Sequence, residues 1–437
     1  MSDELGDILI SHLESDFSDK LDRLRSKTCE MATFNPRSDE GKKVAEIIDD
    51  VRDRHDEAIR ERTKEFDGVD LKPDEFRVPK RDLVEAYDQL ASDNAKLLSS
   101  IQRAIENVRR YQSEIFIGTR RHPGMKYTPI KSVGICVPGA SAPLPSTVIM
   151  TGVPAQVAGV ERIAVVSPPR FKGTIHPVIL AVCHALGIEE VYRIGGVQAV
   201  AALADGTEHI PSVDKIVGPG NMWVQTAKRI LFGQVGIDST AGPSEVLVLA
   251  NDQAIPAWIA ADMLSQAEHD PGSAMLFTDS RELAIAVLNE LKHQVQQLSR
   301  SARTVRCLSE YSRIAVFGDM DEVIHWANAF AAEHVQIQCG ENSRQIADQI
   351  TTAGAIFIGP YTPVAAGDYW AGPSHTLPTG GGARFSSALT SNDFVKSISL
   401  IEYSADQLAA AADDIIRLAE TEGLDAHARS VDIRRQK

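Results

Sequence analysis

DKIVGPG (residues 214–220) is a short apolar run that breaks at two glycines and a proline, then leads directly into NMWVQTAKR (221–229), which reads as helix. The same texture recurs at SVGICVPG (132–139), RIAVVSPP (162–169) and VYRIGG (191–196). It continues at SEVLVLA (244–250), AMLFTDS (274–280), RIAVFGD (313–319), HVQIQC (334–339) and AIFIGP (355–360). Stretches of helical length and period, such as Ile255 to Ala267 and Arg281 to Leu298, lie between these runs. Strand, helix, strand repeated in this way predicts βαβ units and parallel sheets buried on both faces. There are enough strands for two such sheets, with a boundary near Ala250. In open sheets of this kind ligands bind beyond the carboxyl ends of the strands, where the Gly-rich turns fall.

Before this region the sequence reads as helix for about the first 115 residues. In SDEGKKVAEIIDDVRDRHDEAIRERTKEFDG (38–68), Val44, Ile47, Ile48 and Val51 form one buried stripe, and Asp39 and Glu40 suit a helix start. Ser38 lacks the partner for a full capping box. A second long helix is expected over Arg81 to Tyr111. The C-terminal stretch YSADQLAAAADDIIRLAETEGLDAHARSVDIRRQK (403–437) reads as two helices joined at Gly423, a polar arm suited to reaching over a neighbouring subunit. The expected fold class is therefore α/β: two Rossmann-like doubly wound parallel-sheet domains with an N-terminal helical segment and a C-terminal helical arm. The expected divisions are 1–120, 121–250, 251–385 and 386–437.

A chain of 437 residues exceeds one ordinary core, and its 43% hydrophobic, 24% charged composition is that of a globular enzyme. A net charge of −15 without a basic cluster argues against nucleic acid or an anionic membrane as the main partner. It leaves room for a small anion held by backbone amides. The five cysteines are widely spaced, with no C-x-x-C, so neither a disulfide framework nor a thiolate zinc knuckle is expected. A reducing cytoplasm fits best. The acidic start MSDELGDILI does not read as a signal peptide, and no apolar run reaches membrane-spanning length.

Two turns place backbone N–H groups at a helix start: Gly195–Gly196 with Gln198, and Gly218–Pro219–Gly220 with Asn221. Both suit a phosphate, yet neither is the G-x-G-x-x-G fingerprint, and tight turns alone would explain the glycines. Of the twelve histidines, His12, His55, His122, His176, His184, His209, His293 and His325 read as helical or surface residues without partners. Four stand out. His269 shares a helix face with Gln266 in LSQAEH (264–269), His334 follows Glu333, and His375 shares a Gly- and Pro-rich loop with Asp368. His427 lies five residues after Glu422. Gln266, His269, Asp368 and His427 would offer one metal two oxygens and two nitrogens, a set that suits zinc. Spacing alone equally admits four separate polar residues. Glu333 and His334 form a carboxylate–imidazole pair suited to general base catalysis, or to a plain ion pair at a strand start.

Taken in order, GPGNMWVQTAKR, DSTAGPSEVLVLA, LSQAEH, AEHVQI, GDYWAGPSHTLPTGG and EGLDAHARSV resemble the histidinol dehydrogenase family from about Val133 to Arg434. The resemblance implies the last two steps of histidine biosynthesis, L-histidinol to L-histidine through the aldehyde with two NAD. It implies one zinc per subunit held by Gln266, His269, Asp368 and His427, and Glu333 and His334 as the acid–base pair. Ser244, His375 and Glu422 match substrate contacts, joined by His334 and the zinc ligands. Gln198 and Asn221 match dinucleotide contacts. A homodimer is implied, with Glu422 and His427 completing the partner's site.

Two departures stand out. Cys136 takes the place of the family's usual tyrosine before the turn that ends at Ala140, so an aromatic contact to the cofactor is missing; by itself Cys136 reads as a small buried residue. Ser374 replaces the commoner asparagine ahead of His375. Three rivals remain at this stage: a paralogue with the same machinery acting on another substrate such as a sulfonated diol, a zinc hydrolase using Glu333 without a nucleotide, and a non-catalytic binder. The acid–base pair argues against the last.

Overall fold

The computed structural model describes residues 5–32, 37–139, 143–239, 242–268 and 272–435. His269 and Ala140 lie outside the described residues. The chain packs as two compact units, 1–116 with 129–394, and 117–128 with 395–437.

The strands in chain order are β1 (Leu9–Ser11), β2 (Met125–Pro129), β3 (Ser132–Cys136), β4 (Arg162–Val166), β5 (Glu190–Tyr192), β6 (Lys215–Val217) and β7 (Gly236–Ile237). They continue with β8 (Ser244–Ala250), β9 (Gly272–Thr278), β10 (Arg313–Val316), β11 (His334–Gln338), β12 (Ala355–Ile358) and β13 (Val395–Ser399). In the first unit, β5-β4-β3-β6-β7 make one sheet and β1-β10-β9-β8-β11-β12 the other. The pairings in both sheets are parallel. Apart from the edge strand β1, each sheet starts at a central strand, winds outward, then returns to the other side. The strand order therefore reverses between β3 and β6 in one sheet and between β8 and β11 in the other. This is the doubly wound α/β fold expected from the alternation of apolar runs and helices.

Burial on both faces explains why the strands lack a polar alternation. Val246, Val248 and Ala250 of β8 join one core layer, and Leu247 and Leu249 point into the layer behind. The first sheet packs against the helices Asp39–Arg54 and Asp56–Asp67, whose Val44, Ile47, Ile48, Val51 and Ile59 share its core.

Four details differ from the sequence reading. The N-terminal region is not wholly helical, because Leu9–Ser11 pairs with Ile314–Val316 as the edge of the second sheet. The helix expected over 81–111 is two, Lys80–Asp93 and Ala95–Glu114. Asn94 leaves the helical conformation between them and its side chain accepts from Leu97 N–H, capping the second. The run 38–68 likewise breaks at His55, whose φ of 51° is left-handed, while Ser38 caps the first half by accepting from Gly41 N–H. The change of sheet falls ahead of Ser244 rather than near Ala250, since β8 pairs with β9 and β11.

In the second unit β2 and β13 pair, and the helices Ala405–Thr421 and Asp425–Asp432 flank Gly423 at φ 69°. Ser404 begins the first of these helices with a full capping box to Gln407. Among the described residues no helix is long and apolar enough to cross a membrane.

Candidate active site

Parallel pairing of β8 with β11 sets His334 opposite Val246, which brings Glu333 and His334 against Ser244 and Glu245. Ser244 Oγ donates to Glu333 Oε2 at 2.6 Å, and Glu245 N–H donates to the same oxygen at 2.8 Å. His334 Nδ1 lies 2.9 Å from the carbonyl oxygen of Glu245. A carbonyl only accepts, so this contact places the proton on Nδ1 and leaves Nε2 as the basic nitrogen. Glu333 and His334 are 6% and 4% exposed, so neither titrates as it would in water.

Burial pushes Glu333 up to about 8, against the pull of Ser244 and the Glu245 N–H and with the help of Asp368. Burial also pushes the Glu245 carboxyl up to about 8, and the charge of Glu333 adds to it. His334 is lowered by burial, opposed by Asp368, and His375 is held down at about 4 by burial. Imidazoles lowered in this way stay neutral at pH 7. They can then accept a proton or ligate a metal.

Asp368 reaches this edge through the short helix Val364–Tyr369, which packs over Phe357; a Cβ on Gly367 would stand 2.7 Å from that ring. The Phe357 ring in turn packs against His334, tilted by 48° with the ring centroids 5.7 Å apart. Burial raises the Asp368 carboxyl, with only His334 offsetting it among the described residues. Gln266 ends the helix Pro256–Ala267, is 3% exposed, and its Nε2 has no hydrogen-bond partner there. Asp368, a half-buried carboxylate with no cation beside it among the described residues, and Gln266 Oε1 are oxygens a divalent ion can use, whereas the unpartnered Gln266 Nε2 is a donor that awaits an acceptor. The residues in view fit zinc. Of the other two expected ligands, His269 is outside the described residues and His427 is an exposed residue of the second unit, as is Glu422.

This site sits at the amino ends of β8 and β11, not beyond the carboxyl ends where ligands were expected. The other switch point obeys the rule. Beyond the carboxyl ends of β3 and β6 lies a cavity of about 760 Å³ lined by Cys136, Gly139, Pro168, Gln198, Asn221 and Trp223, among others. Gln198 is 1% exposed, and neither its Oε1 nor its Nε2 has a partner. An amide buried against a cavity with both ends unsatisfied fits a polar ligand such as a dinucleotide. Cys136 is buried, its thiol pushed up to about 12 by burial. Ser374 is buried too and accepts from Thr376 N–H, shaping the loop ahead of His375.

Several histidines read as partnerless do have partners. His209 Nδ1 lies 2.6 Å from Asp56 Oδ2, and with Glu208 they form a group whose possible ligand atoms lie within 4.8 Å of one another. His176 caps the helix Pro177–Ala185, His122 accepts from Gly124 N–H, and His184 packs on Tyr87. Sequence reasoning also passed over Glu245. Its one signal was a lone acid at the head of an otherwise apolar strand.

The fold and site define an α/β protein with an open crevice at one switch point and a buried carboxylate–imidazole pair at the head of the other sheet. The sequence profile of "Histidinol dehydrogenase" matches residues 34–435. The chain is 47% identical over 398 residues to the histidinol dehydrogenase of Rhodopirellula baltica, covering 90% of this chain and 86% of the relative. It is 42% identical over 433 residues to that of Synechococcus sp., covering 98% of each. The crystal structure of histidinol dehydrogenase from Elizabethkingia anophelis superposes with a TM-score of 0.88 at 34% identity, covering 98% of this chain and 97% of that one. The chain belongs to the histidinol dehydrogenase family, and is thus an oxidoreductase of histidine biosynthesis.

Proposed function

We propose that the protein oxidises L-histidinol to L-histidine through L-histidinaldehyde, a four-electron reaction that uses zinc and two NAD. Gln266, His269, Asp368 and His427 hold the zinc, with one ion per subunit of a cytoplasmic homodimer whose arms are exchanged. Ser244, His375 and Glu422 contact the substrate together with His334 and the zinc ligands. NAD occupies the crevice between β3 and β6 against Cys136, Gln198 and Asn221. Bound zinc supplies a positive charge that holds the amine and imidazole of histidinol, and NAD supplies the hydride acceptor for each two-electron oxidation.

The protein's own groups move the protons. His334 Nε2 takes the hydroxyl proton of histidinol as the alcohol becomes the aldehyde, then releases it to solvent. Ionised Glu333 takes a proton from water as that water adds to the aldehyde carbon and returns it to the former carbonyl oxygen, giving the hydrate. His334 then takes a hydroxyl proton of the hydrate in the second oxidation, which leaves the carboxylate of histidine. Ser244 and the Glu245 N–H fix the Glu333 carboxylate throughout, so its position does not depend on substrate.

The observation that carries this reading is the His334 Nδ1 contact with the Glu245 carbonyl, which leaves Nε2 free to accept a proton in a buried site. The deciding experiment supplies zinc-loaded protein with L-histidinol and NAD and counts NADH per histidinol consumed. Two NADH, lost with a chelator and restored by zinc, is the expected result. No NADH from histidinol would overturn the reading.

A further inference from the structure

A buried ion pair that the proton chemistry leaves unused stands behind the cofactor crevice. Lys228, in the helix Met222–Leu231, and Asp238, just after β7, bond to each other with side chains 1% and 2% exposed. Both also bind Gly218. Lys228 Nζ donates to the Gly218 carbonyl at 3.0 Å, and Gly218 N–H donates to Asp238 Oδ2 at 2.7 Å. Gly218 has φ +106°, and a Cβ there would stand 2.4 Å from the carbonyl oxygen of Cys136. The turn is thus pressed onto the end of β3 and tied down by both backbone polar groups of one residue. The next three residues, Pro219, Gly220 and Asn221, line the crevice, and Asn221 caps the helix that carries Lys228 by accepting from Val224 N–H.

A buried ion pair is a poor device for stability alone, since apolar residues of similar volume serve as well or better. Apolar residues, however, could not hold the N–H and the carbonyl of Gly218. We infer that Lys228 and Asp238 are positioning residues for the cofactor: the pair fixes the 218–221 turn against Cys136 before the dinucleotide arrives. Ordering done in advance is not charged against binding, so the pair contributes affinity for NAD without touching it. The inference rests on the reading of this crevice as the NAD site.

The test titrates full-length zinc-loaded protein with NAD, following tryptophan fluorescence because Trp223 lines the crevice. Steady-state kinetics are run alongside. Lys228→Met with Asp238→Leu removes both ties without stranding a buried charge. Lys228→Met with Asp238→Asn keeps an acceptor for Gly218 N–H. The first double variant is expected to raise both Kd and KM for NAD about tenfold, the worth of a charge-assisted hydrogen bond, and the second by less. KM for histidinol and kcat at saturating NAD stay within about twofold, because preorganisation of the turn affects NAD binding alone. Unchanged NAD affinity in whichever variant folds, with only a lower melting temperature, would overturn the inference and leave a purely structural pair. A uniform loss in kcat and both KM values would overturn it too. Failure of the wild-type protein to bind NAD would instead sink the proposed function.

Discussion

Removing the His334 imidazole takes away the base whose tautomer the Glu245 carbonyl sets, while Ser244, Glu333 and Asp368 remain. His334→Ala is expected to lower kcat by about 10²–10⁴-fold with a smaller change in KM for histidinol, the usual contribution of a general base. Steady-state rates at saturating NAD check this; a kcat near wild type would remove His334 from the role. Glu333→Gln keeps the acceptor for Ser244 but cannot take a proton from water. Assayed separately from histidinol and from histidinaldehyde, it should lose more of the second half than the first, and equal losses would argue against water activation. Glu245 yields a prediction of another kind. Its folded carboxyl binds a proton up to about 8, far above the unfolded chain's ordinary value, so it favours the fold at low pH and loses that contribution as pH rises. Between the ordinary carboxylate range and about 8, the wild-type fold therefore loses stability with each pH unit through this group. Glu245→Gln, which retains an acceptor for Gly380 N–H, should flatten that part of the slope. Urea unfolding of chelator-treated protein from pH 5 to 8 measures it, and parallel slopes would show that Glu245 does not carry the proton.

The strands and helices were legible because their signals are local: apolar runs of β-branched residues punctuated by Gly and Pro, with helical periodicity between them. What was missed is short or bought by contacts far away in sequence. β1 is three residues long and is a strand only because β10 offers an edge some 300 positions on (His12 Nδ1 meets Val316 O with a separation of 304). The break at Asn94 hides in a run whose apolar period continues through it. The site divides in the same way. Glu333 and His334 are adjacent and were readable as a pair, but their bonds to Ser244 and Glu245 cross 89 positions. No local pattern reports the register that makes them. On the other side of β11, at Gly354 ahead of β12, a Cβ would lie 2.5 Å from the carbonyl oxygen of Glu333. Gly354→Ala must push the two backbones apart and move Glu333 off Ser244. A misplacement on the order of 1 Å costs roughly 10²-fold, so kcat should fall by about that much with the far-UV circular dichroism unchanged. Retention of kcat within about twofold would show that the entry to β12 yields instead.

At the scale of the whole molecule, the second unit has a surface that a lone chain leaves uncovered. Ile401, Tyr403, Leu418 and Ile433 are all exposed there, on the same segment as Glu422 and His427. Large exposed apolar side chains on so small a unit suit an interaction surface. In a two-fold dimer whatever one arm does for its neighbour is done in return. Exchange of arms would cover the apolar residues and supply Glu422 and His427 to the partner's Glu333 and His334 in one step. The consequence is arithmetical. With exchanged arms, His334→Ala and His427→Ala chains are each expected to be inactive as homodimers, and a mixed dimer would unite an intact Glu333–His334 edge with an intact arm at one of its two sites. Random reassortment makes half the dimers mixed, so about a quarter of wild-type activity should return. Unfolding the two variants together, refolding with zinc and assaying NADH from histidinol measures it, with differently tagged chains proving that mixed dimers formed. Verified mixed dimers without activity would place His334 and His427 of the same chain in one site.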